Sequence, residues 1–397
     1  MNEIDELFLT KTIRSRANIF LERVRSNQSE YFTLEENQLD ACALFVAEVT
    51  KKRYPSLNIP FHSRWRHFEA GGFDRRLWLN DASNHSTTLI DLVIVSVLLD
   101  AGAGAEWSFF EKETNQSFRR SEGLGVASFH AFKSGLFSSD PNNLLQVDAI
   151  GLQQLTLEKL ATAFQVTDSN PLIGLKGRLE ILHRLGQILA SRKEIFGTSA
   201  RPGNLYDYLL SSKKSLSAHQ LLTLLLDTFS PIWPSGQNLN GKFLGDCWYH
   251  SALGESHDSP ESWMPFHKLS QWLTYSLLEP FIWNNVSVTG LEELTPLPEY
   301  RNGGLLIDHK ILQLKTPINQ VLGYSPQNEL IIEWRALTIA LIDLLAPRVR
   351  NFLNCSEEKM PLACILEGGT WAAGRELAFK FHAGEPPIKI HSEGTVF

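Results

Sequence analysis

Asp308 ends an apolar run in GGLLIDHKILQL, with His309, Lys310 and Gln313 just behind it. A carboxylate beside buried chain is placed to act as a general base or to stabilise a developing positive charge. Taken alone, it reads first as a helix N-cap for HKILQL. In PFHKLSQWLTYSLLEP, Lys268 and Gln271 stand three apart, hence on one helix face, beside aromatic residues that could wall a pocket. EGGTWAAGRE, 367–376, looks like a loop opening into a helix. Free N–H groups at such a start, with Thr370, Trp371 and Arg375, would hold a phosphate or carboxylate. Equally, Thr370 caps the helix and the glycines permit a turn. HSRWRHFEAGGFDRR, 62–76, sets Arg64, Arg66, Arg75 and Arg76 among Trp65, Phe68 and Phe73. That mixture suits a planar or phosphorylated ligand, and it also suits a salt-bridged surface.

Other chemistries lack their residues. His62 and His67 are five apart and His250 and His257 seven apart, so neither pair has the i, i+4 spacing of a helical zinc site. There is no G-x-S-x-G elbow and no Walker lysine loop. The residues call for no metal and no organic cofactor.

The elements that position these residues read as helices. Leu175, Leu179, Leu182, Leu185 and Leu189 keep the helical period, as do Leu221, Leu224, Leu225 and Phe229. Leu92–Leu99 is too short to span a bilayer and reads as a buried core helix. A helix through Leu269, Trp272, Leu273 and Leu277 is expected to stop before Pro280, and one from Leu330 to Leu353 to break near Pro347. Short strands are expected at Leu305–Ile307 and Ile388–His391, and loops at 138–143, 233–241 and 254–262. With no alternation of strand and helix, a Rossmann fold is disfavoured.

The 397 residues carry 37 basic against 44 acidic side chains, a net charge of -7, with no long run of Lys and Arg, which argues against a nucleic-acid partner. Cys42, Cys247, Cys355 and Cys364 form no C-x-x-C pair, and MNEIDELFLT does not read as a signal peptide, so a cytoplasmic protein with free thiols and no membrane partner is expected. Ten Trp and 23 Phe hint at a sizeable pocket for a small molecule. The oligomeric state has no signature in the chain.

SRWRHFEAGG, RPG at 201–203, the stretch from PIWPSG to LGDCWYH (231–250), PFHKLSQWLTYSLLEP and EGGTWAAGRE together resemble a fungal and bacterial uracil-catabolism family, that of the fourth protein of the fungal Urc series. The resemblance spans nearly the whole chain. It implies action downstream of ring opening, on a ribosylurea-type intermediate, with release of urea. From about Pro171 to Leu353 the chain also resembles the queuosine-salvage glycosidases, helical proteins related to DNA glycosylases. That likeness runs through Arg178 to Leu189, the segment ending in Phe229, K-x-x-Q at Lys268 and Gln271, D-x-[KR]-x-x-Q at Asp308, Lys310 and Gln313, and E-x-R at Glu333 and Arg335. His309 departs from the Tyr of that family and Leu312 from its Pro.

These resemblances imply a large, mainly α protein with a few short strands. The loop at 138–143 could separate an N-terminal helical portion over 1–150 from a glycosidase-like portion over 151–397, or the chain is one continuous domain. The resemblances imply hydrolysis of an N-ribosyl bond in a nucleoside- or nucleotide-like substrate. Asp308 would be the catalytic carboxylate and Lys268 would touch substrate, holding phosphate or a sugar hydroxyl. Gln271 and Gln313 would hydrogen-bond, and Arg375, Thr370, Arg66, Trp65 and Trp371 would line the site, with Trp272 as a further wall. Glu333 and Arg335 would form a supporting pair. An amidohydrolase attacking the ureido carbonyl, or a non-catalytic metabolite-binding protein of the uracil pathway, remain the alternatives.

Overall fold

A computed structural model describes residues 3–79, 85–211, 215–233, 237–317 and 323–391. Residues 234–236 of the expected 233–241 loop lie outside the described residues. The principal helices are α1 (Thr10–Arg25), α2 (Leu39–Arg53), α3 (His85–Leu98), α4 (Arg120–Lys133), α5 (Leu175–Ser191), α6 (Ala218–Phe229), α7 (Lys268–Trp283), α8 (Tyr300–Asp308), α9 (Glu329–Leu353) and α10 (Trp371–His382). Described strands pair only two at a time, so the fold is mainly α. No helix among the described residues is long and apolar enough to cross a membrane.

Backbone contacts divide the chain into two units, both drawing on sequence from either side of residue 150. One holds Met1–His62, Gln237–Gln271 and Gly290–His391; the other holds Ser63–Gly236 and Trp272–Thr289. In the first, α1 and α2 pack on α9, and α8 packs on both α9 and α10. The expected strand at Leu305–Ile307 is instead the last part of α8. Glu299 caps that helix, accepting from the backbone N–H groups of Arg301 (2.7 Å) and Asn302 (2.6 Å). Gly303 lies inside the helix, and Trp334 occupies the space beside it. A Cβ there would sit 2.7 Å from the indole. Gly374 likewise lets α10 approach the backbone of Arg301.

Two prolines expected to end helices do not. Pro280 falls in the last turn of α7; the Ser276 carbonyl, which its missing N–H would have met, accepts from Trp65 Nε1 at 2.8 Å instead. Pro347 lies within α9, which continues because Leu345, Ala346, Val349 and Leu353 on either side of it are buried. The second expected strand, Ile388–His391, is reduced to one parallel bridge between Tyr324 and Ile390.

In the other unit, α3 is buried from Ser86 through Leu98, as expected of a core helix. Its Asp91 accepts from Arg201 Nε (3.0 Å), Gly203 N (2.7 Å) and Val147 N (3.1 Å), so the RPG segment is an anchor onto α3. Arg64 is fully buried, donates to Ser96 Oγ at 2.6 Å and forms an ion pair with Asp100 at 2.9 Å. α5 and α6 form where their apolar spacing places them.

Candidate functional site

Asp308 is the last residue of α8, so it closes a helix and the N-cap reading fails. Its side chain is 5 % exposed. A carboxylate can only accept, so His382 at the end of α10 donates Nε2–H to Oδ1 at 2.7 Å. The other oxygen, Oδ2, is buried and has no partner among the described residues. Next to it His309 turns its ring toward Phe45 of α2, centroids 5.1 Å apart, and its Nε2 is also buried without a partner. Burial pushes the His309 imidazole below its ordinary value, against the pull of the Asp308 charge. Consecutive residues that each bury an unpartnered polar atom are uncommon in a folded protein and mark a place where water or a ligand group could be received.

Lys268 is not beside Asp308. Its backbone N–H donates to Asp246 Oδ2 at 3.0 Å, and its charge acts on Glu299 at the opposite end of α8. Nine residues of helix, about 13 Å of rise, separate Glu299 from Asp308. Gln271 is buried and its amide joins α7 to the chain before α8, donating to Thr295 Oγ1 (2.5 Å) and Phe266 O (3.2 Å) and accepting from Thr295 N (2.8 Å). Gln313 is exposed on the two-stranded pairing of Phe32–Leu34 with Leu312–Leu314. The expected Glu333–Arg335 pair does not form, because residues two apart on a helix point about 200° apart. Arg335 instead grips Asp246 with two bonds of 2.8 Å, and Glu333 accepts from Ser29.

The EGGT segment is no loop. Leu366–Thr370 is a π-helical turn running straight into α10, so its N–H groups are engaged within the helix and no open anion nest exists there. Thr370 is buried, with Oγ1 unpartnered, and does not act as an N-cap. The turn brings out Glu367, which the sequence did not single out. Glu367 accepts from Arg53 Nη2 (2.9 Å), Tyr54 OH (3.0 Å) and His62 Nδ1 (2.8 Å). Arg53 also donates to the Glu367 and Gly368 carbonyls, oxygens that a π turn displaces from the regular ladder. Burial works to raise the Glu367 carboxyl, but His62 and Arg53 outweigh it and hold it below the usual range.

Beside this cluster runs a groove of about 320 Å³ lined by Val49, Lys52 and Arg53 of α2 and by Trp371, Arg375 and Phe379 of α10. The Arg375 guanidinium lies 5.4 Å from the Trp371 ring and 5.9 Å from Phe379.

Trp65 and Arg66 belong to the other unit. Trp65 is 1 % exposed and donates Nε1–H to Ser276 O at 2.8 Å, a core role. Trp272, 6 % exposed, lies under the Arg64 guanidinium at 5.6 Å. Arg66 Nη2 is shared between Glu69 (3.1 Å) and Glu279 (3.0 Å). Burial pushes Glu279 up to about 7 despite Arg66 and the Ser63 hydroxyl. Its folded value exceeds the unfolded one of about 4.3, so the stability it lends is complete below that value and is lost as pH rises through about 7. Glu279→Gln therefore flattens the decline in melting temperature between pH 5 and 8. An unchanged slope in the variant would contradict this origin.

The chain matches, over residues 6–397, the family described as "protein of unknown function (DUF1688)", and it belongs to that family. It is 39% identical over 412 residues to "Protein urg3" of Schizosaccharomyces pombe, covering 99% of both chains. It is 37% identical over 410 residues to "Uracil catabolism protein 4" of Lachancea kluyveri, covering 93% of both.

Proposed function

We propose that this protein takes part in uracil catabolism as an N-ribosyl hydrolase, releasing urea from a ribosylurea or its 5-phosphate. The pathway follows from likeness to a relative named for uracil catabolism over 93% of its length. The chemistry rests on one observation, the Asp308 carboxylate: buried, oriented by His382 through one oxygen, and without a partner at the other among the described residues.

In this reading Oδ2 faces the anomeric carbon. As the C1–N bond lengthens, the sugar gains oxocarbenium character and the carboxylate offsets the growing positive charge. Water adds to C1, giving its proton toward Asp308. The electron pair of the broken bond leaves on the urea nitrogen, which is protonated from solvent. Products are the free sugar, or sugar phosphate, and urea. His382 is a positioning residue that fixes the carboxylate. Lys268 holds the far end of α8 through Glu299 and does not touch the reacting atoms.

The deciding experiment incubates the protein with synthetic ribosylurea and its 5-phosphate and identifies the products. Urea with ribose or ribose phosphate is expected. Ammonia and carbon dioxide would point to attack on the ureido carbonyl, and ligand-induced stabilisation without turnover would point to a binding protein; either result overturns the proposal.

A further inference from the structure

Two guanidiniums are fully buried in the unit that does not hold Asp308: Arg64, in the SRWRH segment, and Arg178, on α5. Arg178 directs its donors to backbone carbonyls, Nε to Leu99 (3.0 Å), Nη2 to Ala101 (2.6 Å) and Gly102 (3.2 Å), and Nη1 to Ile173. Those oxygens satisfy its N–H groups but carry no net charge. Arg64 is served unevenly. Its Nε donates to Ser96 Oγ at 2.6 Å, and the two N–H groups of Nη1 go to His67 Nδ1 (2.9 Å) and Ser121 O (3.2 Å). Nη2 also carries two N–H groups, and it is buried with no acceptor among the described residues. Asp100 does not fill that need. Its Oδ1 lies 2.9 Å from Nη1 without forming a hydrogen bond, and its single charge acts on both guanidiniums. No other carboxylate comes within ion-pair distance of either arginine among the described residues.

Two positive charges are thus set against one negative charge in the interior. Burial pulls both guanidiniums below their ordinary range, and for Arg178 the Arg64 charge adds to the pull. An arginine keeps its proton at neutral pH, so the imbalance stands. The Trp272 ring, 5.6 Å from Arg64, attracts the cation but does not replace an oxygen in line with an N–H. Gly125 leaves room for the group, since a Cβ there would fall 3.5 Å from Arg64 Cζ. His67, Asp100 and Ser121 are half-buried, so solvent reaches the residues around the guanidinium although not the guanidinium itself.

We propose that Arg64 Nη2 holds the carboxylate of a small organic acid, at a site separate from Asp308 and independent of the chemistry proposed for it. A carboxylate oxygen gives Nη2 the charge-assisted bond it lacks. One negative charge brings the interior to balance, whereas a phosphate dianion would leave a buried excess of the opposite sign.

The test is calorimetric titration of the full chain with formate, acetate and inorganic phosphate in constant chloride, for wild type, Arg64→Met and Asp100→Asn. Wild type is expected to take up one formate or acetate per chain. Asp100→Asn widens the deficit to two charges and should bind either acid about 10-fold or more tightly. Arg64→Met leaves Arg178 and Asp100 in balance and should bind neither. No uptake of formate or acetate by wild type, uptake that survives Arg64→Met, or unchanged or weaker uptake in Asp100→Asn each overturns the site. Tighter binding of phosphate than of the acids by wild type overturns the assignment to a carboxylate. If Arg64→Met does not fold, the comparison of wild type with Asp100→Asn decides alone.

Discussion

Asp308→Asn lowers turnover of the N-ribosyl substrate by about 10²-fold or more, the scale of losing one transition-state stabiliser, with an unchanged melting temperature. Asn keeps the size and the carbonyl oxygen that accepts from His382, so the fold has little reason to respond. What disappears is the negative charge at Oδ2, and that charge matters only as the sugar becomes cationic. The loss should therefore fall on kcat, with KM nearly constant. Near wild-type kcat in a folded variant would remove Asp308 from the chemistry. His382→Asn should cost less, because the carboxylate remains and only its orientation is relaxed.

Asp246→Ala should destabilise the protein by about 3–5 kcal/mol. Asp246 and Arg335 are 8 % and 2 % exposed in their side chains, and Trp248 Nε1 (2.7 Å) and Lys268 N (3.0 Å) complete the carboxylate's bonds. Removing the acid strands a buried guanidinium. Replacing both partners, Asp246→Leu with Arg335→Met, should recover most of the loss, since no lone charge is left behind. Urea unfolding midpoints decide it, and a single variant as stable as wild type would refute the argument. Acid titration gives a second readout. Burial alone would raise the Asp246 carboxyl, but Arg335, Trp248 and the Lys268 N–H outweigh it and hold it at about 2. The unfolded value is about 3.9, so this stabilisation is whole above that pH and lost as pH falls toward 2.

Much of the helical framework was legible because apolar residues recur at the helical period in α5 and α6 and form an unbroken run in α3, and packing agrees with both patterns. Pro280 and Pro347 misled because a local rule yields where flanking residues are buried, or where a side chain such as Trp65 serves the carbonyl that the proline leaves. Leu305–Ile307 read as a strand because the indole that packs on Gly303 of the same helix comes from Trp334, 31 residues further on. Asp308 could be nominated, but its partner His382 lies 74 residues away and no spacing rule connects them. A signal for His382 did exist: it repeats the heptad direction of Arg375, itself a candidate. Lys268 was grouped with Asp308 by resemblance of motifs, and motifs carry no information on which end of α8 each residue meets. Glu367 was passed over because its glycines read as a loop, whereas Arg53, Tyr54 and His62 stabilise a π turn there.

The interleaving of the two units has a consequence for biosynthesis. Helices α1 and α2, complete by residue 53, pack on α9, which begins at residue 329. A ribosome adding about 5–20 residues per second needs roughly 15 s to a minute to cover that interval. Through all of it the apolar faces of the first two helices emerge without their eventual neighbour, which makes the nascent chain a natural client for a holding chaperone.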